Sequence, residues 1–355
     1  MSSYSIIGLM SGTSMDGLDV VHVTFYFSKN KKWEYTVNQT ETYPYDTQTL
    51  EQLKNSKHLS ATQLLQLDKS LGLIFTGHIN TFIKENNIDK NSIDTIASHG
   101  HTVHHRPDIG FTQQIGCGDT IAYKTGIKVI NDFRQKDIVA GGQGAPLVPI
   151  GDKLLFSSQA DAFLNIGGFA NICFPAEKTI AFDICPGNLP LNEIANKLGL
   201  DFDDKGILSS KGQLNKSILD QLNSLDFYKK VNSKSLGTEW LESVFTPIVD
   251  KISSSEDQLR TITEHISIQI AQSINSSEVK KIYITGGGAF NDFLISRIKA
   301  HTASELIIPD EVTINYKEAI VFAFLGVRFL RGEINCLSSV TGASKDTIGG
   351  VLHHR

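Results

Sequence analysis

The 355-residue chain lacks the features that mark membrane, secreted or nucleic-acid-binding proteins. Its sequence contains no apolar run near the ~20 residues that a membrane-spanning helix requires. The net charge of -5 supplies no basic field for nucleic acid. The start, MSSYSIIGLMSGTS, has no basic segment followed by a long apolar stretch and a cleavage site, so it does not resemble an export signal. We therefore expect a cytoplasmic protein whose partners are neither membranes nor nucleic acid.

Cysteine is scarce, and no two cysteines form a CxxC pair. The four residues stand far apart, at Cys117, Cys173, Cys185 and Cys336. This scatter predicts reduced thiols rather than a disulfide framework or a metal-binding pair. Cys185 follows Asp183 by two residues and could be a nucleophile. No base is arranged beside it in the sequence, so a packing role is favoured.

The chain also lacks the P-loop pattern GxxxxGK[ST], and no GxGxxG opens a helix after the first predicted strand. What it does contain is four glycine-bearing turns where strands are predicted to end: SGTSMDG at 11–17, GGQGAP at 141–146, NIGGFAN at 165–171 and TGGGAFND at 285–292. Glycine lets backbone N–H groups approach phosphate oxygens closely. Each turn alone is equally explained as a simple turn, but together they favour a nucleotide site.

The length suits two domains, and the predicted elements repeat in the same order in each half. In both halves three strands precede a helix, a strand, a helix and a further strand, with insertions between them. The strands are predicted at 4–9, 18–27, 33–43, 93–98 and 127–131, and again at 161–166, 171–174, 179–184, 280–285 and 305–308. A capping box at Ser60 and Gln63 predicts the first long helix, and the last helix is predicted over 316–331. The sequence therefore predicts a duplicated α/β unit.

Several longer motifs resemble those of the anhydro-N-acetylmuramic acid kinase family and follow in the expected order. They are GLMSGTSMDGLDVV, SHGHTVHHRP, DFRQKDIVAGGQGAPLVP, LNIGGFANI, FDICPGN and TGGGAFN. The family belongs to the actin, Hsp70 and hexokinase superfamily. The resemblance implies an α/β fold of two ribonuclease-H-like lobes with an ATP cleft between them. It also suggests a homodimer. We expect lobe I at 1–136, with 338–355 returning to it, and lobe II at 137–337.

The first glycine turn gains a role from this resemblance. Asp16 and Asp19 could merely end a hairpin, but a carboxylate in an apolar strand is costly unless it is compensated. We expect them to face the phosphates of ATP and their Mg²⁺ through water, because Mg²⁺ dehydrates reluctantly. The donors to phosphate would be Ser11, Gly12, Thr13 and Ser14. The other glycines assigned to the nucleotide are Gly167, Gly168, Gly286, Gly287 and Gly288.

Asp183 matches the family residue expected to be the catalytic base, and with Asp16 it is also assigned to the metal. A carboxylate there could take a proton from water. The alternative is a helix N-cap, since Asp183 ends an apolar run and precedes Pro-Gly.

The resemblance assigns three residues to the sugar. Arg134 would hold the lactyl carboxylate in its guanidinium fork, although a structural ion pair with Asp132 or Asp137 is the alternative. Glu318 would reach a sugar hydroxyl, although near the start of the last helix it could simply favour the helix N-terminus. His99 would be a further substrate contact.

The implied activity is an ATP- and Mg²⁺-dependent kinase of peptidoglycan recycling. Asp183 would activate the water that opens the bridge of 1,6-anhydro-N-acetylmuramic acid, and the departing oxygen would take the γ-phosphoryl group. The product would be N-acetylmuramate 6-phosphate. Ile184, Cys185, Asn192 and Thr238 depart from the family pattern, so a kinase for a different sugar stays open. An ATP-binding chaperone-like protein and a metallohydrolase using the histidines at 99–105 are further alternatives.

Overall fold

A computed structural model describes residues 2–12, 17–229 and 236–355. The chain divides into two units, one made of Met1–Leu155 with Tyr316–Arg355 and the other of Phe156–Asn315. The strands are β1 (Ser2–Ser11), β2 (Gly17–Phe27), β3 (Trp33–Pro44), β4 (Thr95–Arg106), β5 (Phe111–Ile115), β6 (Val129–Asn131), β7 (Ala162–Ile166), β8 (Phe169–Phe174), β9 (Ile180–Pro186), β10 (Lys281–Thr285), β11 (Glu305–Ile307) and β12 (Val351–His353).

Helices connect these strands and cover the sheets. They are α1 (Thr47–Lys54), α2 (Ala61–Glu85), α3 (Gly118–Thr125), α4 (Gln135–Val139), α5 (Pro149–Gly151), α6 (Asn188–Lys197), α7 (Ile207–Lys211), α8 (Lys216–Asn223), α9 (Asp226–Lys229), α10 (Thr238–Trp240), α11 (Thr246–Val249), α12 (Ser255–Asn275), α13 (Asp292–His301), α14 (Glu311–Leu330) and α15 (Ser338–Thr341). Among the described residues, π-helical turns occur at Asp152–Phe156 and Leu241–Phe245. In the part of the chain that the structure describes, no helix is long and apolar enough to cross a membrane.

Each unit contains one mixed sheet, and the two sheets share a strand order. The first runs β12-β6-β4-β1-β2-β3, with β5 paired to β4, and the second runs β11-β10-β7-β8-β9. In both, the three strands β1–β3 or β7–β9 are antiparallel, and the next strands add in parallel beside the first. This order is that of ribonuclease-H-like lobes, so the predicted duplicated α/β fold is confirmed.

The long predicted helix of the first unit is confirmed as α2. The Ser60 side chain accepts the Gln63 N–H while the Gln63 side chain accepts the Ser60 N–H, which forms the capping box. Its buried face carries Leu67, Leu71, Phe75, Ile79 and Phe82 at helical spacing. These side chains join the core that lies against β1, β2 and β4. The buried side chains of α2 therefore cover one face of the first sheet.

The core of the second unit centres on α12. Ile262, Ile266, Ile270 and Ile274 are fully buried there. The same helix buries Glu264, whose carboxylate binds Arg260, Arg297 and His301 at 2.7–2.8 Å. These donors compensate the cost of taking a carboxylate out of water.

The unit boundaries differ from the predicted 136/137 and 337/338, because residues 137–155 and 316–337 group with the first unit. Buried contacts join these segments to each other and to the C-terminal residues. Asp152 forms a 2.7 Å ion pair with Lys317, and Asp137 accepts a 2.8 Å hydrogen bond from Thr341. Motif spacing alone does not reveal such long-range pairs.

Two further elements differ from the sequence-based expectations. Strand β4 continues well past residue 98 and pairs with β5, a hairpin that was not predicted. The last helix begins at Glu311 rather than at 316, so Glu318 lies inside α14 and not at its first turn. The interpretation of Glu318 as a helix N-terminal charge is therefore wrong.

Candidate active site

The two ends of the first glycine turn lie on β1 and β2. Gly12 follows β1 and is half-buried. Asp19 lies in β2, half-buried, and its Oδ1 accepts a 2.7 Å hydrogen bond from Thr42 on β3. This bond is the compensation that a carboxylate in an apolar strand requires. Three of the assigned residues lie outside the described residues, and their roles stay predictions: Thr13, Ser14 and Asp16.

Ser11 ends β1 with only 1% of its surface exposed. Its hydroxyl accepts a 2.7 Å hydrogen bond from Tyr45 and lies 3.2 Å from Nδ1 of His101. Burial raises the pKa of Tyr45, so its hydroxyl remains a donor. Burial also lowers the pKa of His101. The Ser11 hydroxyl is engaged inside the first unit. The predicted donation from Ser11 to phosphate would therefore come from its backbone.

Arg134 precedes α4 and is held on two sides. Its Nε and Nη2 lie 3.1 and 2.9 Å from Nε2 of His99, and Nη1 donates to the carbonyl of Gly144 at 2.8 Å. The guanidinium also lies 5.7 Å from the ring centre of Phe322. These contacts use three of its five N–H groups, and a guanidinium stays charged in proteins. The arrangement presents the remaining donors in a fixed orientation.

His99 takes part in this arrangement as a neutral ring. Its Nδ1 lies 2.8 Å from the Gly100 carbonyl, so Nδ1 carries the proton and Nε2 accepts from Arg134. Burial, and next the charge of Arg134, hold the pKa of His99 well below its usual value. The ring is 6% exposed. Both nitrogens are therefore engaged within the first unit, and His99 supports Arg134 directly.

Glu318 on α14 belongs to the same electrostatic environment. Its side chain is exposed to solvent, yet enough protein surrounds the carboxyl group that desolvation raises its pKa. The positive charges of Arg134 and Lys317 act in the opposite direction. The structure thus brings Arg134, His99 and Glu318, all assigned to the sugar, into one region of the first unit.

Asp137 is not the ion-pair partner that the alternative for Arg134 required. It is fully buried, and its carboxylate accepts hydrogen bonds from the Gly144 N–H, Thr341 and Cys336 at 2.8, 2.8 and 3.1 Å. It therefore holds the loop whose Gly144 carbonyl receives Arg134. In the sequence Asp137 lies between the DFR and AGGQGAP motifs, and this position predicted only an ion pair with Arg134.

The histidines of β4 have separate partners. His105 binds Thr112 at 3.1 Å through Nδ1, and His104 packs edge-on against Phe111. Among the residues that the structure describes, no group of three His, Cys, Asp or Glu side chains could hold a metal ion. The structure gives these histidines roles in hydrogen bonding and packing.

In the second unit the hairpin between β7 and β8 contains Gly167 and Gly168. Their carbonyls accept 2.8 Å hydrogen bonds from the N–H groups of Asn188 and Gly187, respectively. A Cβ on Gly187 would lie 2.4 Å from the Gly167 carbonyl oxygen, so this approach requires glycine. The hairpin is thereby fixed at the N-terminus of α6.

The glycine turn at Gly286–Gly288 packs on the same hairpin. Gly286 has φ of +82°, and a Cβ there would lie 2.7 Å from the Ile166 carbonyl and from Oδ1 of Asn165. A Cβ on Gly288 would overlap the Ile166 side chain. Gly287 is exposed and a Cβ there would meet only Nδ2 of Asn188, at 3.4 Å. The structure thus brings the assigned glycines of the second unit together.

Asp183 lies inside β9, half-buried and opposite Asn171 of β8. Its Oδ2 accepts a 2.9 Å hydrogen bond from the Leu236 N–H. The helix that follows, α6, has Gly187 at its N-cap position, so the N-cap interpretation of Asp183 is wrong. Its role as a base and metal ligand stays a prediction.

Four residues that depart from the family pattern fall in two environments. Ile184 and Cys185 are buried in the core of the second unit, which fits the packing role predicted for Cys185. Asn192 on α6 is half-buried, and Thr238 on α10 is exposed. All four cysteines are buried free thiols.

Comparison with known proteins gives matches along nearly the whole chain. The family profile described as anhydro-N-acetylmuramic acid kinase matches residues 4–355. The anhydro-N-acetylmuramic acid kinase of Shewanella denitrificans is 36% identical over 97% of this chain and 96% of its own. That of Psychrobacter cryohalolentis is 33% identical over 97% of this chain and 93% of its own. The chain therefore belongs to the anhydro-N-acetylmuramic acid kinase family.

Proposed function

We propose that this protein is an ATP-dependent kinase that opens 1,6-anhydro-N-acetylmuramic acid with water and releases N-acetylmuramate 6-phosphate. The observation that carries the proposal is the match to this family over residues 4–355. Arg134 supports the choice of this sugar as substrate. Its guanidinium is fixed by His99 and Gly144, and it suits a carboxylate such as that of the lactyl group. We place this activity in the cytoplasm, in peptidoglycan recycling, and expect a homodimer.

The residues of the chain suit the phosphates of ATP. The turn at Gly286–Gly288 and the hairpin at Gly167–Gly168 carry no side chains that would keep phosphate oxygens away from their backbone N–H groups. Asp16 and Asp183 would provide the carboxylate oxygens that Mg²⁺ prefers. Asp19 would face the ion and the phosphates through water, because Mg²⁺ dehydrates reluctantly. Bound there, the ion would neutralise charge on the phosphoryl oxygens.

Asp183 is the proposed base. Its carboxylate takes a proton from a water molecule, and that water attacks the anomeric carbon. The bond from this carbon to the bridging oxygen breaks, and that oxygen bonds to the γ-phosphorus of ATP. The bond between this phosphorus and the β-phosphate oxygen breaks, so ADP leaves. In an inverting glycosidase an acid would protonate this oxygen. Here phosphoryl transfer replaces that proton.

A single experiment tests the reaction. The protein is incubated with ATP, Mg²⁺ and the anhydro-sugar, and products are identified by mass. The expected product contains the substrate plus a phosphoryl group plus one water molecule. A product that gains only the phosphoryl group would indicate a plain sugar kinase, and no sugar product would overturn the proposal. Amino sugars without the bridge serve as parallel substrates, because the departures at Ile184, Cys185, Asn192 and Thr238 leave another sugar open.

The stereochemistry tests the role of a single base. The bridging oxygen occupies the β face of the anomeric carbon, so water activated by Asp183 must approach from the opposite face. The α-anomer should therefore appear first in proton NMR spectra of early turnovers and then equilibrate with the β-anomer. Initial formation of the β-anomer would indicate double displacement and exclude Asp183 as a simple water-activating base.

A further inference from the structure

Thr42 lies between two side chains from distant parts of the chain. On β3 it is directly opposite Asp19 of β2. Its Oγ1 lies 2.7 Å from Oδ1 of Asp19 and 3.0 Å from the hydroxyl of Tyr316, which is 274 residues away on α14. A strand residue and a helix residue thus meet at one hydroxyl group.

The chemistry of these groups fixes the direction of the hydrogen bonds. An ionised carboxylate only accepts, so Thr42 donates its one proton to Asp19. The Thr42 oxygen must then accept from Tyr316, which donates its own proton. The two bonds run in one direction, from Tyr316 through Thr42 to Asp19, and each strengthens the next by polarisation.

We propose that Thr42, held by Tyr316, is a positioning residue that aims the Asp19 carboxylate at the magnesium–nucleotide complex. The inference rests on the proposed function. A hydrogen bond to one oxygen restricts rotation of the group, and a preoriented charge acts on a ligand without reorganising. Nothing in the sequence pattern around SGTSMDG points to Thr42 or Tyr316.

The orientation of α14 supports this role. The residue after Tyr316 is Lys317, whose ammonium forms a 2.7 Å ion pair with Asp152, with both side chains nearly fully buried. The next residue is Glu318, which interacts electrostatically with Arg134. Three consecutive residues therefore anchor one helical turn. This anchoring keeps the Tyr316 hydroxyl on Thr42, and it joins the Asp19 region to the region assigned to the sugar.

The test measures the binding of ADP by calorimetry, with and without Mg²⁺, in four variants of the full chain. Thr42→Val replaces the hydroxyl by a methyl group of the same shape and should weaken Mg²⁺-dependent ADP binding about tenfold, the range for a hydrogen bond to a charged group. Binding without Mg²⁺ should stay within about twofold. Tyr316→Phe should weaken the Mg²⁺-dependent binding roughly threefold. Thr42→Ser keeps the hydroxyl and should restore binding near that of the wild type.

Thr40→Val is the matched control, since it makes the same change two residues earlier on the same face of β3. Equal weakening of ADP binding with and without Mg²⁺, or the same effect in Thr40→Val, would overturn the inference. A wild-type protein whose ADP binding does not depend on Mg²⁺ would overturn it as well. If wild-type binding does depend on Mg²⁺ but the anhydro-sugar is not converted, the proposed function fails while the positioning role is still tested.

Discussion

The two units use the same strand order to present different kinds of chemistry. In the first unit the assigned residues are mainly side chains bound to other side chains, as Arg134 is to His99 and Asp19 is to Thr42. In the second unit they are mainly glycines whose backbone packs on backbone, as Gly286 does on Ile166. The shared topology therefore fixes where strands end, while the residues at those ends decide what each unit can bind.

Asp183 is the exception to this comparison, a side chain assigned to the chemistry in the unit of glycine turns. Asp183→Asn should keep the fold, because the amide oxygen can still accept from the Leu236 N–H. It should lower kcat by at least ~100-fold, the usual scale for loss of a general base. The measurement is steady-state turnover of the anhydro-sugar beside calorimetric binding of ADP and sugar.

The control for Asp183→Asn lies in the same unit. Asp161 also accepts backbone hydrogen bonds, from the N–H groups of Lys280 and Lys281. Asp161→Asn makes the same chemical change and should leave kcat unaltered. Turnover near the wild-type rate in Asp183→Asn would remove Asp183 from the mechanism. The groups assigned to the site in the second unit would then be backbone groups alone.

Arg134→Lys tests whether the first unit depends on the shape of its side chains. Lysine keeps the charge but cannot form the fork or reach His99 and Gly144 together. Affinity for the sugar should fall by ~1–3 kcal/mol, the range for a charge-assisted hydrogen bond. Sugar binding by calorimetry measures it, with the exposed Arg106 changed to lysine as control. An unaltered dissociation constant would make Arg134 purely structural.

Much of this fold could be predicted because its signals are local. Alternating branched residues predicted the strands, and the Ser60–Gln63 box with its spaced apolar residues predicted α2. The start of α14 was missed because Glu311–Asn315 are mostly polar and lack helical periodicity of apolar residues. The β4–β5 hairpin was missed because histidines fill the strand.

The candidate site also contains residues that the sequence could identify and residues that it could not. Its motif residues were identified from the resemblance, and their glycine content indicated close backbone approach. Thr42, Tyr45, Tyr316 and Asp137 were not identified as supports. Tyr45 bonds to Ser11 across 34 residues. The Thr42–Tyr316 and Asp137–Thr341 bonds span 274 and 204 residues. Hydrogen bonds across more than 200 residues leave no spacing pattern in a single sequence.

Gly287→Ala tests whether the backbone of the second unit binds the nucleotide. A methyl group there meets only Asn188 at 3.4 Å, so the fold should tolerate it. If backbone N–H groups of this turn bind phosphate, the methyl group should weaken ADP binding roughly tenfold, as for a lost hydrogen bond to a charged group. Gly77→Ala on α2, where a Cβ meets nothing within 4 Å, is the control. Unchanged ADP affinity in calorimetry would exclude the turn from the nucleotide site.

The pH dependence of stability tests His99, the side chain that supports Arg134 in the first unit. Burial and Arg134 hold the pKa of His99 well below the value of 6.5 that it regains on unfolding. The unfolded chain therefore binds an extra proton as the pH falls below 6.5, and this part of the stability is present above 6.5 and lost toward lower pH. The loss approaches about 1.4 kcal/mol per pH unit for one group.

In His99→Gln the amide oxygen can still accept from Arg134 but does not titrate. Between pH 7.5 and 5.5 the free energy of unfolding in urea should therefore fall by about 1 kcal/mol less in this variant than in the wild type. His265 is a matched comparison in the second unit, since burial lowers its pKa to about 3. His265→Asn should flatten the same curve. Curves for wild type and His99→Gln that run parallel would show that His99 is not held neutral against Arg134.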